Sequence, residues 1–137
     1  MTWLILEDNP GRVEAFYESF NQYGQAKKIH IWRIAAHMIA ELDSLLPNAS
    51  LISLDHDLYK QSENDPDPGC GRDVANYLSE QKPVCPIVIH STNTDAAWGM
   101  YNELSSSGWE VEIIHHLDEP MWIQTKWLEL ARKLSKL

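Results

Sequence analysis

Short β-type runs alternate with helix-patterned stretches five times along this chain, which restricts it to parallel strands joined by crossover helices. Trp3-Leu4-Ile5-Leu6 is the first strand. Asn9 as N-cap and Pro10 at the first helical position then open a helix with Val13, Phe16, Tyr17 and Phe20 on one face and a stop at Gly24. Lys28 to Trp32 is the second strand, followed by Ala35, Met38, Ile39, Leu42 and Leu46 at helical spacing up to Pro47. Leu51-Ile52-Ser53-Leu54 is the third. A polar, Pro-rich loop from Tyr59 to Gly71 separates it from a shorter helix carrying Val74, Tyr77 and Leu78. Pro86 to Ile89 reads as the fourth strand, with Ala97, Met100, Tyr101 and Leu104 on a helix ended by Gly108, and Trp109 to Ile114 as the fifth. The last helix starts near Asp118-Glu119-Pro120 and buries Ile123, Trp127, Leu130 and Leu134.

Right-handed crossovers leave few ways to wind five such units, and the compact solution is a flavodoxin-like α/β sheet of order 2-1-3-4-5. With 137 residues, 44% of them apolar, the chain reads as one domain spanning 1–137 with a real core. Eleven basic against twenty acidic residues give a net charge of −9, which opposes the diffuse phosphate attraction of an extended nucleic-acid surface. A small anionic ligand held in one local pocket with a cation is compatible with that charge. No stretch approaches the ~18 apolar residues of a membrane span, and Met1-Thr2-Trp3 lacks signal-peptide character, so a cytoplasmic protein without membrane attachment is expected. Cys70 and Cys85 have no metal-ligand spacing and are expected to be reduced thiols. The sequence says nothing of oligomeric state.

In a 2-1-3-4-5 sheet the winding reverses between strands 1 and 3, and ligands bind in the crevice beyond the carboxyl ends of those strands. Glu7-Asp8-Asn9 ends the first strand, Asp55-His56-Asp57 the third, His90-Ser91-Thr92-Asn93 the fourth and His115-His116-Leu117-Asp118 the fifth. Carboxylates facing one another across the switch point repel unless a proton or a hard cation intervenes, so Glu7, Asp8, Asp55 and Asp57 are candidate ligands for Mg²⁺ or Mn²⁺. The competing account of Glu7-Asp8-Asn9 is a helix cap complementing the dipole. Alternation turns Asp55 and Asp57 one way and His56 the other. Ser91, Thr92 and Asn93 offer hydroxyls, an amide and a helix N-terminus to phosphate oxygens, or else form an ordinary cap beside a core histidine, His90. Of the adjacent His115 and His116, one faces the surface and either could contact a ligand; His30 and His37 read as structural or solvated. Arg72, just past the long loop, is the nearest obvious phosphate-binding cation, or a surface ion pair. Asp67, Pro68, Gly69 and Gly71 lie in that loop, which leaves strand 3 beside Asp57 and covers the crevice; its glycines allow close approach to a ligand or serve turns. The six tryptophans fall mostly on core-facing positions.

At these residues the chain resembles the receiver fold of bacterial response regulators, with Leu6-Glu7-Asp8-Asn9 at the acidic pair and Asp55 at the phosphoacceptor. Ile114 to Asp118 occupies the region where receivers carry a phosphoryl-contacting lysine. The chain resembles more closely the cyclic-phosphate processing receiver domains, through Leu54-Asp55-His56-Asp57-Leu58 and His90-Ser91-Thr92-Asn93. That resemblance implies a phosphoesterase-type hydrolase acting on cyclic phosphates, such as 2′,3′-cyclic phosphate ends of RNA or nucleotides. Opening a cyclic phosphodiester needs an activated water, a protonated leaving oxygen and neutralised charge. His56, His90 and Asp55 are the expected catalytic groups, with the two imidazoles sharing acid and base roles. Ser91, Asn93, Arg72 and His115 are expected to bind substrate, and Glu7, Asp8, Asp55 and Asp57 to hold the cation. The alternative is a signalling module in which Asp55 accepts a phosphoryl group, or the fold binds a partner without turnover.

Overall fold

The computed structural model describes residues 2–22, 28–115 and 117–136. Strands β1 (Thr2–Leu6), β2 (Lys28–Trp32), β3 (Ala49–Leu54), β4 (Ile87–Ile89) and β5 (Val111–Ile113) form a parallel sheet in the order β2-β1-β3-β4-β5. Between and after them run α1 (Pro10–Asn21), α2 (Ala35–Leu45), α3 (Gly71–Ser79), α4 (Thr94–Ser106) and α5 (Leu128–Ser135). The expected order is the observed one. Strands β1 and β3 lie side by side in the middle of the sheet, which puts the winding reversal between them.

Helices cover both faces, so strand alternation sorts side chains between two cores rather than between core and solvent. Leu4, Leu6, Ile52, Leu54, Ile87 and Ile89 pack with residues of α2, α3 and α4. Trp3, Ile5, Leu51 and Val88 pack on the other face with Phe16 and Phe20 of α1 and with Trp127, Leu128 and Ala131. The ladder continues beyond the strands: Glu7 donates its N–H to Trp32 O, Asp55 to Leu6 O and His90 to Leu54 O. The same alternation therefore carries Glu7, Ser53, Asp55 and His90 to the α1/α5 face.

Two helices depart from the periodicity. In α1, Tyr17 is exposed and Val13 half-buried, while Phe16, Ser19 and Phe20 are buried; Trp3 and Trp127, edge-on to Phe20 and Phe16, narrow the contact to that side. The expected stop at Gly24 lies outside the described residues. At the C-terminal end, residues 117–122 form turns, with Met121 at φ 60°, a left-handed conformation that prevents a helix from beginning at Pro120. A π turn follows over Ile123–Trp127, in which Trp127 N–H donates to Trp122 O five residues back. That extra residue shifts the stripe, so Leu128, Ala131 and Ser135 are buried and Leu130 and Leu134 only half-buried. Trp109 lies just before β5, buried, its indole N–H bonded to Leu78 O at 3.0 Å. Trp3, Trp109, Trp122 and Trp127 are core residues as expected, but Trp98 is 46% exposed.

The long loop closes on itself. Asp57 and Cys70 form an antiparallel bridge, and Gly71 N–H donates to His56 O at 2.8 Å. The loop glycines serve the chain's own backbone, not a ligand: Gly69 has φ +68°, and a Cβ on Gly71 would stand 1.9 Å from Asp55 O. Gly71→Ala is expected to push α3 off the end of β3, lowering stability by about 1–3 kcal/mol or more, measurable by urea denaturation.

Candidate functional site

Past the ends of β1 and β3 the chain buries three carboxylates together. Ligand oxygens of Glu7, Asp8 and Asp55 all lie within 4.8 Å of one another, and all three residues are buried. The capping account of Glu7-Asp8-Asn9 divides: Asn9 Oδ1 caps α1 by accepting from Arg12 N–H at 3.1 Å, while Glu7 and Asp8 turn inward. Asp57, expected among the cation ligands, stands outside the trio; its Oδ1 accepts from His56 Nδ1 at 2.6 Å and from Asn93 Nδ2 at 3.3 Å.

Each carboxyl has its own environment. Burial pushes Glu7 up, but the hydrogen bond and charge of His90, with the Asn9 N–H and Arg12, outweigh it and hold Glu7 below its ordinary value. Its Oε2 accepts from the N–H groups of Asp8 at 3.1 Å and Asn9 at 3.0 Å, and its Oε1 is 3.2 Å from His90 Nε2. That last contact is out of line for a good hydrogen bond, yet neither atom has a better partner among the described residues. Asp8 is raised, by burial and by the Glu7 charge, against the N–H of Tyr59 that reaches its Oδ2 at 2.6 Å. Asp55 is pushed up to about 7, chiefly by burial, with Glu7 adding and His90 opposing. Asp57 is lowered, first by its hydrogen bond to His56.

Asp8 and Asp55, with Glu7 behind them, face a hollow of about 370 Å³ whose walls also include Asp57, Arg12, Gln61 and Thr92. Arg12 is its cation. Its guanidinium lies 3.8 Å from Glu7 Oε1 and 5.7 Å from the Trp122 ring centre. The start of the long loop closes one side, since Gln61 Nε2 donates to Asp8 O at 3.2 Å; the remainder bends away, Asp65 accepting from Arg33 at 2.9 Å.

Several expected site residues fall elsewhere. Arg72 does not reach the hollow: its Nε donates to Glu103 at 3.1 Å and its guanidinium lies against Gly99 of α4, the ion-pair account. His90 is fully buried between Phe16 and Trp122, with Nδ1 2.6 Å from Ser53 Oγ. The sequence casts His90 as handling a substrate proton, but its imidazole has no exposed surface, and among the described residues its ring nitrogens face only Glu7 and Ser53. His56 touches the hollow through Asp57 and is absent from the lining, as alternation predicted. Asn93 caps α4 through Oδ1, accepting from Ala96 N–H at 3.1 Å, so its amide is shared between the helix and Asp57. Ser91 is buried and accepts from Asn93 N–H at 3.1 Å. Ser91 and His115 line a second hollow, which meets the first at Thr92. His116 lies outside the described residues. Among residues not singled out beforehand, Arg12 is hidden in the sequence because nothing marks which side of α1 faces the crevice. Ser53, by contrast, is a polar break in an apolar strand; its Oγ also accepts from Trp127 Nε1 at 2.9 Å.

The sequence matches the description "Cyclic-phosphate processing Receiver domain" over residues 4–106. No curated protein matches it significantly. Among solved structures, a response regulator receiver domain from Rhodospirillum rubrum superposes with TM-score 0.71 at 19% identity, over 100% of this chain and 95% of that one. The response regulator domain of Thermotoga maritima CheB gives 0.65 at 11% identity, covering 100% and 97%. The Mn²⁺-bound form of response regulator Rcp1 gives 0.65 at 17%, covering 99% and 96%. Identities this low establish the fold alone. No described helix is long and apolar enough to cross a membrane.

Proposed function

Since this chain belongs to the cyclic-phosphate processing receiver domain family, we propose that it is a cytoplasmic hydrolase that opens cyclic phosphates, on 2′,3′-cyclic phosphate ends of RNA or nucleotides. The observation that carries this reading is the buried convergence of Glu7, Asp8 and Asp55 beside Arg12 and Thr92. Water adds to phosphorus, one ring P–O bond breaks, and the departing ribose oxygen takes a proton, leaving a phosphomonoester and a free hydroxyl.

The donor set fits a hard divalent cation, Mg²⁺ or Mn²⁺, because it offers only oxygen and, among the described residues, no lysine, arginine or histidine forms an ion pair with Asp8 or Asp55. Asp8 and Asp55 would hold it. Glu7 is the least available of the three, its Oε2 accepting two N–H groups and its Oε1 turned to His90. Such a cation supplies charge neutralisation at the phosphoryl oxygens. Arg12 adds a fixed positive charge and Thr92 a hydroxyl donor. Asp57 fixes the His56 ring through Nδ1, an arrangement that orients an imidazole for proton transfer through Nε2. His90 acts at one remove, by holding Glu7.

The test is hydrolysis of 2′,3′-cyclic nucleotides by the purified protein with Mn²⁺. His56→Ala is expected to lower kcat about 10²–10⁴-fold, and Asp55→Asn or chelator to abolish turnover. Unchanged rates in both variants would overturn the assignment. A second reading has its own support, since the structural relatives are receiver domains and Asp55 stands beside the acidic pair. Incubation with acetyl phosphate and Mg²⁺ followed by intact-mass measurement decides for phospho-acceptance if an adduct forms and is absent from Asp55→Asn.

A further inference from the structure

We propose that the hollow between α4 and β5 receives the nucleobase of a ribonucleoside 2′,3′-cyclic phosphate whose phosphate occupies the acidic hollow; this rests on the cyclic-phosphate reading above. The two hollows meet at Thr92, which lines both. A ligand spanning them would have its phosphorus on the acidic side and a ring system on the other.

The second hollow has the dimensions and chemistry for one ring system. At about 230 Å³ it is smaller than the ~300–1,000 Å³ of a drug-sized site. Trp98, Ile113 and Leu117 give it apolar walls, and His115 and Asp118 add polar groups. Trp98 is the unusual member. It is 46% exposed although Trp3, Trp109, Trp122 and Trp127 are buried, and Tyr101 braces it edge-on with ring centres 5.4 Å apart. An exposed, braced indole at the wall of a concave site is a stacking surface that accepts any base. The Asp118 carboxylate accepts hydrogen bonds, matching the amino or imino N–H groups of a base edge.

The acidic hollow has another neighbour, beside α1, of about 740 Å³, which shares Asp8, Pro10 and Gln61 with it. Glu14 and Glu18 line that side, and its one arginine, Arg33, is paired with Asp65. That side is wider than one ring system needs, and its walls carry Glu14 and Glu18 beside Asp8, whereas the α4–β5 side sets a single carboxylate, Asp118, beside its exposed indole.

The experiment compares adenosine 2′,3′-cyclic phosphate with glycerol 1,2-cyclic phosphate, which has the same reacting ring and no base, as substrates of wild type, Trp98→Ala, Trp98→Phe and Tyr17→Ala. Wild type is expected to prefer the nucleotide in KM by about ten-fold or more, as one stacked base warrants. Trp98→Ala should erase that preference without changing glycerol cyclic phosphate turnover, Trp98→Phe should keep most of it, and Tyr17→Ala, on the α1 side, should keep it all. Equal KM values in wild type, or loss in Tyr17→Ala and not in Trp98→Ala, would overturn the proposal while leaving the hydrolase reading intact. If neither substrate is turned over, the hydrolase reading fails. NMR titration with adenosine 3′-monophosphate then decides the subsite: shifts of the Trp98 indole that inorganic phosphate does not produce sustain it, and their absence removes it.

Discussion

Above neutral pH and without divalent cations, Asp55→Asn is expected to be more stable than wild type, by up to about 4 kcal/mol. The Asp55 carboxyl is pushed up to about 7, mainly because burial disfavours its charge. A raised acid of this kind contributes stability that is fully present below its ordinary value near 3.8 and is lost as pH climbs through about 7. Asp8 is raised too and acts in the same direction. Glu7 and Asp57, which are lowered, act oppositely: their contributions are present above the ordinary carboxylate range and vanish on acidification. Saturating Mn²⁺ should close most of that gap at pH 8, because a cation at a hundred times its Kd adds about 2.7 kcal/mol to wild type and little to the variant. The effect should shrink towards pH 5, where protons compete for Asp55. Thermal denaturation of both proteins at pH 5 and 8, with and without Mn²⁺, measures all four terms. A wild type indifferent to Mn²⁺ at pH 8 would remove the cation from the site.

The second large effect lies under the site. Glu7 and His90 are both without exposed surface and face one another at 3.2 Å. Replacing either alone, as Glu7→Leu or His90→Leu, leaves the other's facing atom, His90 Nε2 or Glu7 Oε1, buried without its counterpart and should cost about 3–5 kcal/mol. The double variant should cost well under the sum, since two apolar side chains can pack among Phe16 and Trp122. A strictly additive double-variant cycle in guanidinium denaturation would show that the contact carries no coupling.

Much of this arrangement can be read from parity. Trp3, Ile5 and Glu7 are two residues apart, as are Leu51, Ser53 and Asp55, and Val88 and His90. Once a parallel sheet is granted, each set falls on one face, and the polar member at its end meets the others at the switch point. The same rule turns His56 to the other side from Asp55 and His90, although its ring still reaches the Asp57 carboxylate, which is why the expected imidazole pair does not meet in the hollow. Sheet order followed from crossover handedness and needed no side-chain detail. Arg72 misled because nearness along the chain to a loop says nothing of which helix face it leaves from; Glu103 and the space above Gly99 decided its course. Arg12 could not be preferred over it without knowing that α1 rises beside the trio. The last helix escaped periodicity because a single residue of excess, in a turn bonded five residues back, has no compositional mark.

That excess residue has a consequence for what the chain tolerates. Deleting one position within 123–127 would restore a uniform coil and improve local regularity, yet would swing everything downstream by about 100°. Trp127 would leave Ser53, and the hydroxyl that steadies His90 would lose its donor. The irregular winding thus acts as a phase adjuster between the tail of the molecule and its acidic centre, and shortening it by one is expected to do more harm at that centre than an insertion of similar size at the outer tip of the long loop, around 62–64.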